Sequence, residues 1–305
     1  MKCIKYYHTI IFLIIAACFA CSQASKSNKN APPALPANPQ KKAIIDKATK
    51  AFLLQVDSLK MLLSKADTLN PMSADTDAMG NIEGVNSEIS NKLTAILKNP
   101  QADKQNIDSL LRHNFLAEAH SADKRLRIFS WYENTGGSFK SNLSLVYYKT
   151  ASGQTIISGD TESGSGQGNL FSSAGASFDT IYKLTAKGKD LYLCIGSGVG
   201  CTTCVFSTAV VVELKKDSAN FNYPAFTAAG DDVITYGENN TSCLTFGARN
   251  GDIDKFEFNP KTQTLTIAYL TDDNTPIQRG DDEKQERIVR KLKFNGIKFI
   301  GDVFH

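Results

Sequence analysis

Hydrophobic residues follow three spacings along this chain, and each spacing predicts a different kind of structure. Near the start, Ile10 to Ala17 is an unbroken apolar run, preceded by Lys2 and Lys5 and free of carboxylates. From Lys41 to about Leu69, the residues Ile45, Ala48, Phe52, Val56, Leu59 and Leu63 recur at three- and four-residue steps with Lys and Asp between them. That spacing predicts an amphipathic helix, stopped at Asn70-Pro71 because the residue before proline is pushed out of the helical region. Ile82, Val85, Ile89, Leu93 and Ile96 predict a second helix ending at Asn99-Pro100, and Asp103 to about Glu118 a third, carrying Ile107, Leu110 and Leu111. The helical face loses its heptad register at Gln55, so packing onto the protein's own body is expected rather than a coiled coil.

After Ser121 the period falls to two. LRIFSWY, LSLVYYK, TIYKLTA, DLYLCIG, VFSTAVVVEL, DVITYG, KFEF, TLTIAYL, RIVRKLKF and IKFIG are short and rich in β-branched and aromatic residues. Turn clusters separate them, among them Gly136-Gly137, Ala186-Lys187-Gly188, Asn250-Gly251, Asn259-Pro260 and Asn295-Gly296. With no helix between them the strands pair antiparallel, because parallel strands need crossovers of a dozen or more residues. The expected class is α+β: a short N-terminal helical region, then an antiparallel all-β domain built as a sandwich, barrel or rolled sheet. No propeller repeat with a fixed period emerges.

The opening apolar run covers about half the roughly 20 residues of a spanning helix and has the layout of a secretory signal. Its end, Ile15-Ala16-Ala17-Cys18, resembles the lipobox of bacterial lipoproteins. That resemblance implies cleavage before Cys18 and attachment of acyl chains such as palmitate to it, with Cys21 as the alternative site. Several chains anchor far more firmly than one, each buried methylene adding about 0.8 kcal/mol. Ser22 to Gln40, with four prolines and little to bury, reads as a solvated tether. The expected divisions are a signal peptide over 1–17, a tether over 18–40, a helical region over 41–118 and the β domain over 121–305. The expected location is the cell envelope, outer membrane favoured, with the globular part outside the cytoplasm.

Composition narrows the partners. With 34 Lys and Arg against 31 Asp and Glu the formal charge is +3, and no basic run of five or six occurs, so nucleic acid is not an expected partner. Cys194, Cys201, Cys204 and Cys243 form an even set in an exported chain and read first as two disulfides of open pairing. Cys201-Thr202-Thr203-Cys204 also raises thiol redox chemistry, or a four-thiolate zinc site with Cys194 and Cys243. A strand-like VFSTAVVVEL after Cys204 removes the helix dipole that lowers a redox thiol's pKa, and no second C-x-x-C supports zinc. No cofactor is expected.

Gly196-Ser197-Gly198-Val199-Gly200 and the stretch from Ser163 to Gly168 lack the strand-before, helix-after context of a phosphate loop and read as flexible loops. His113, His120 and His305 stand beside no nucleophile motif, and His120 reads as a solvated residue at a helix end. Asp231-Asp232, Asp252 with Asp254, Asp272-Asp273 and Asp281-Asp282-Glu283 read as solvated turns, with glycoside hydrolysis as the reading that would use them. Alternation places Phe129 and Trp131 on one face of their strand and Ile128, Ser130 and Tyr132 on the other, and core packing is the expected use of these aromatics.

The stretch Ser121-Ala122-Asp123-Lys124, RIFSW, Thr135-Gly136-Gly137 and VYYK, within Ser121 to Lys149, resembles exported Gram-negative proteins of unassigned function. The likeness implies export and supplies no catalytic residue. The leading expectation is a lipid-anchored, non-catalytic binding or interaction module, taking a protein or glycan on its β domain. The alternatives are an envelope hydrolase acting on glycan through the loop carboxylates, and a thiol or zinc protein.

Overall fold

The structure is a computed structural model that describes residues 39–69, 78–102, 104–105, 107–134, 138, 140–150, 152–153, 155–159, 175–202, 204–226, 234–236, 243–249, 253–271 and 286–301. The signal run, Cys18, Cys21, the tether over 18–38, the Ser163–Gly168 stretch, Asp231, Asp232, Asp252, Asp272, Asp273, Asp281, Asp282, Glu283 and His305 lie outside the described residues. The fold below is that of the unit Asp46–His305.

Antiparallel sheet dominates. Strands β1 (Ala117–His120), β2 (Leu126–Tyr132), β3 (Asn142–Lys149) and β4 (Thr155–Gly159) form a first sheet in sequential order. A second sheet has the order β5 (Ser177–Lys183), β6 (Asp190–Cys201), β7 (Cys204–Leu214), β10 (Cys243–Arg249), β9 (Ile234–Tyr236), with the two-residue β8 (Ala219–Asn220) paired to β7. A third runs β11 (Ile253–Asn259), β12 (Thr264–Thr271), β13 (Glu286–Phe294), β14 (Phe299–Gly301). Of the three architectures left open by the sequence, a closed barrel is not found among the described residues.

Strand alternation decides how the sheets stack. On β2 and β3, Phe129, Trp131, Leu145 and Tyr147 are buried with Phe52, Val56, Leu59 and Leu63 of α1 (Pro39–Thr68) and Val85, Ile89, Leu93 and Ile96 of α2 (Ala78–Lys98). The opposite face, Leu126, Ile128, Val146 and Tyr148, is buried with Phe178, Tyr192, Cys194, Val210 and Val212 of the second sheet. The reverse face of that sheet, Leu191, Leu193, Ala209, Val211, Leu244 and Phe246, closes on Leu265, Ile267, Tyr269, Leu292 and Phe299 of the third. The second sheet is therefore buried on both faces, which explains the uninterrupted Ala209-Val210-Val211-Val212 run in β7. Strands with one wet face alternate instead.

Two buried asparagines tie the helices down. Asn86 Oδ1 accepts from Trp131 Nε1 at 3.1 Å and its Nδ2 donates to Glu133 O at 2.8 Å. Asn134, held at φ 59°, donates from Nδ2 to Ala66 O and Leu69 O at 2.7 Å each. It adds a side-chain donor at the C-terminal end of α1, where carbonyls run out of intrahelical partners.

Two expectations about local structure are corrected. The third helix, α3, spans only Ile107–Leu111, and Ala117–His120 pairs with β2 in register Ala119↔Ile128, so cross-strand bonding overrides the helical leaning of Ala-Glu-Ala. His120 accordingly ends a strand rather than a helix. The glycine-rich Gly196–Gly200 is not a loop: it lies inside the twelve-residue β6, because packing against aromatic rings favours glycine there over any residue with a Cβ.

Candidate functional site

The glycine-rich half of β6 opens onto a cleft of about 590 Å³ at the corner where the first two sheets meet and the third begins. Register places Ser177, Ser197 and Ser207 side by side across β5, β6 and β7. Their hydroxyls form a row spaced by roughly one strand separation, 4.7–4.9 Å. Tyr132, Lys140 and Asn142 from the first sheet, and Val199, Val205, Phe206 and Ile253, complete the lining.

Glycine shapes this floor. A Cβ at Gly198 would stand 2.3 Å from Phe206 Cζ, and one at Gly196 would stand 2.6 Å from Ser177 O and 3.1 Å from Phe178 Cδ1. Glycines thus let two aromatic rings lie across β6 without breaking its pairing. The corner is clamped by Lys140 N donating to Val199 O at 2.9 Å and Asn142 Nδ2 donating to Gly175 O at 3.0 Å. The described lining includes no carboxylate, imidazole or thiol; it offers hydroxyls, one ammonium, an amide and apolar surface. Such a set can hold a hydroxyl-rich ligand by hydrogen bonds and ring contact, and it contains no paired acid and base.

Elsewhere, ionisable groups are tied to one another. Asp108, Glu118 and His120 bring one ligand atom each within 4.8 Å of one another, a spacing suited to a cation. Arg127 takes that place: its Nε donates to Glu118 at 3.0 Å and its Nη2 pairs with both Asp108 and Glu118. The cluster is an ion network joining α3, β1 and β2. His113 accepts at Nδ1 from Phe115 N at 3.3 Å, which leaves Nε2 as the donor to Ser64 Oγ, 3.3 Å away. Burial, then Lys60, holds its pKa below the ordinary value, so it is neutral near pH 7 and gives rather than takes a proton toward Ser64.

A second network fastens the first sheet to the second. Asp123 accepts from Ser121 Oγ at 2.7 Å, Tyr192 Oη at 2.8 Å and Lys183 Nζ at 3.1 Å, while Arg125 and Lys183 both pair with Asp190. Burial alone would raise the Asp123 carboxyl, but the hydrogen bonds from Ser121, Tyr192, Lys183 and the Arg125 backbone outweigh it and hold the pKa at about 2. Burial and the neighbouring Asp123 push the Tyr192 hydroxyl up to about 12.

The cysteines divide into two pairs. Cys194 and Cys243 each register with Val210 on the strand between them and are buried and free. Two strand spacings put them roughly 9–10 Å apart, beyond the 7 Å limit for a disulfide between Cα atoms. The expectation of two disulfides is corrected to that extent: neither of these two is bonded. Burial pushes both thiols up, with Thr208 and Thr245 partly offsetting this at Cys243. Cys201 and Cys204 face each other in register at the β6–β7 turn, six residues along β7 from Val210. That is roughly 20 Å, so the four cysteines do not converge on one zinc.

Sequence reasoning did not find the serine row, because its members are 20 and 10 residues apart and become neighbours only through register. The signal available was the Gly-Ser-Gly-Val-Gly segment itself. No protein-family model matches the chain, and searches of curated proteins and of solved structures give no match. No described helix is long and apolar enough to cross a membrane.

Proposed function

We propose that this chain is a lipid-anchored cell-envelope protein, held through Cys18, whose extracytoplasmic β domain binds a glycan strand in the serine-lined cleft and does not cleave it. The observation that carries the reading is the row Ser177, Ser197 and Ser207 framed by Tyr132, Lys140 and Asn142. Hydroxyls repeating at one strand separation suit the repeating hydroxyls of an extended saccharide, and an aromatic side chain with aliphatic neighbours suits the apolar faces of its rings. The polar groups fix orientation, while the absence of a convergent carboxylate pair among the described lining residues favours binding over hydrolysis.

Calorimetric titration of the protein with soluble peptidoglycan fragments, and in parallel with maltotetraose, tests the reading. Saturable binding that weakens at least tenfold in the Ser197→Val/Ser207→Val variant is the expected result. Absence of binding to either saccharide by the unsubstituted protein overturns it, as does release of new reducing ends. Mass spectrometry of protein from its native envelope tests the address separately, with acylated Cys18 as the expected N-terminus.

A further inference from the structure

Two lysines of the first sheet stand outside both ion networks. Lys124, in the turn between β1 and β2, is exposed, and Lys149, the last residue of β3, is half-buried. Neither has an ion-pair partner among the described residues. Backbone bonds hold them as neighbours: Lys124, at φ 56°, donates from N to Ser121 O at 2.8 Å, and Lys149 N donates to the O of the next residue, Arg125, at 2.8 Å. Arg125 Nε returns a bond to Lys149 O at 3.4 Å. The described carboxylates of this corner are all taken by other cations, Asp123 by Lys183, Asp190 by Arg125 and Lys183, and Asp108 and Glu118 by Arg127. Like charges on adjacent strands repel, a cost that an anion entering between them removes.

Both lysines border a concavity of about 520 Å³ between the first sheet and the α2–α3 connection, lined also by Arg127, Asp108, Gln105 and Tyr147. It shares no described lining residue with the serine-lined cleft. Tyr147 is only 7% exposed and packs into the core beneath the helices, yet its hydroxyl finds no hydrogen-bond partner among the described residues. Ile107 of α3, from the same core, adds apolar surface to the wall.

We propose that this concavity is a second binding site, which takes a phosphate monoester of a small polyhydroxylated molecule. The phosphoryl group lies between Lys124 and Lys149, and the organic body lies against Tyr147 and Ile107. Two ammonium groups act as separate point charges and suit the spread oxygens of a phosphoryl dianion. A planar carboxylate is matched best by the fork of an arginine, and Arg127, the arginine in this wall, already spends its Nε and Nη2 on Asp108 and Glu118. The volume leaves room for more than the phosphoryl group, and the Tyr147 hydroxyl and the Gln105 amide can bond to hydroxyls of the body. A lipid headgroup offers a phosphodiester with a single charge, which half-satisfies the pair of lysines. The site depends neither on acylation at Cys18 nor on saccharide binding in the serine-lined cleft.

Calorimetric titration of the full chain with glucose 6-phosphate, glucuronate, glycerophosphoglycerol and inorganic phosphate tests the proposal. Saturable binding of glucose 6-phosphate is expected, with glucuronate and glycerophosphoglycerol each weaker by about tenfold. The Lys124→Gln/Lys149→Gln variant is expected to lose about tenfold or more in affinity for glucose 6-phosphate, while its urea midpoint stays at or above that of the unsubstituted protein. Lys215→Gln/Lys216→Gln, a lysine pair in the turn after β7, is expected to leave the affinity unchanged. Tyr147→Phe is expected to weaken glucose 6-phosphate by about threefold and leave inorganic phosphate unaffected, which places the body rather than the phosphoryl group against the ring. Absence of saturable glucose 6-phosphate binding overturns the proposal, as does binding that survives the Lys124→Gln/Lys149→Gln substitution. Glucuronate or glycerophosphoglycerol binding as tightly as glucose 6-phosphate overturns the assignment to a phosphate monoester.

Discussion

Strand β6 has two halves that obey different rules. From Asp190 to Ile195 it is a strand by its own composition: Leu191, Leu193 and Ile195 face the third sheet, and Tyr192 and Cys194 face the first. From Gly196 to Cys201 it is a strand only because its neighbours make it one, with Phe178 and Phe206 standing where side chains of β6 would otherwise be. The first half supplies stability and the second supplies a cleft. Local pattern is informative where a residue's own side chain fills the core, and it fails where another residue's side chain fills the space.

The largest break in this comparison is expected in the first half. Leu193→Ala removes a fully buried side chain between two sheets and should cost about 2–5 kcal/mol in urea unfolding. Gly196→Ala comes next: its Cβ meets backbone, Ser177 O at 2.6 Å, so β5 must move, and a loss of about 2–3 kcal/mol is expected from the same measurement.

The pH dependence sharpens the role of Tyr192, which lies in the stable half. Asp123 has a folded pKa of about 2, below its unfolded value, so its contribution is complete above roughly pH 4 and is lost as pH falls toward 2. Tyr192 is raised to about 12, so its contribution is complete below roughly pH 10 and is lost as pH rises through 12. Asp123→Asn should flatten the acid limb and cost roughly 1.5–3 kcal/mol at pH 7, measured by denaturant titration across pH.

Gly198→Ala should cost less, about 1–2 kcal/mol, because the clash falls on the Phe206 ring, which can turn aside. Its clearer signature is a weakened saccharide titration, since the turning ring lines the cleft. Gly200→Ala should change stability by about 0.5 kcal/mol or less, its Cβ meeting nothing closer than 3.8 Å. A Gly200 effect as large as that of Gly196 would dissolve the distinction between rings that need glycine and a strand that merely contains it.

Much of the fold was legible in the sequence, for reasons visible in single strands. β2 begins and ends with the apolar-aromatic run LRIFSWY, and the split of Phe129 and Trp131 from Ile128 is the split between helix-facing and sheet-facing cores. β1 was not legible, because Ala117-Glu118-Ala119 favours a helix until β2 offers it hydrogen bonds. β10 was not either, since Phe246-Gly247-Ala248-Arg249 shows no alternation beyond Phe246. Neither the serine row nor the stacking of three sheets is written in any one segment. Both depend on which strand lies beside which, and a shift of one residue would turn Ser197 and Ser207 to the other face.

The two thiols flanking Val210 turn the middle sheet into its own clock. Cys194 and Cys243 are fully enclosed, with Cys243 hydrogen-bonded to Thr208 at 3.2 Å, so an alkylating reagent reaches them only when the strands on either side of β7 separate. The rate at which their peptides gain the reagent's mass, under native conditions and without denaturant, therefore reads the opening of the innermost layer directly. With reagent in excess and reclosure fast, that rate measures the population of the open form; with reclosure slow, it measures the opening step. Every substitution in β6 can then be ranked by kinetics on the unlabelled protein, with reporters that evolution has already placed.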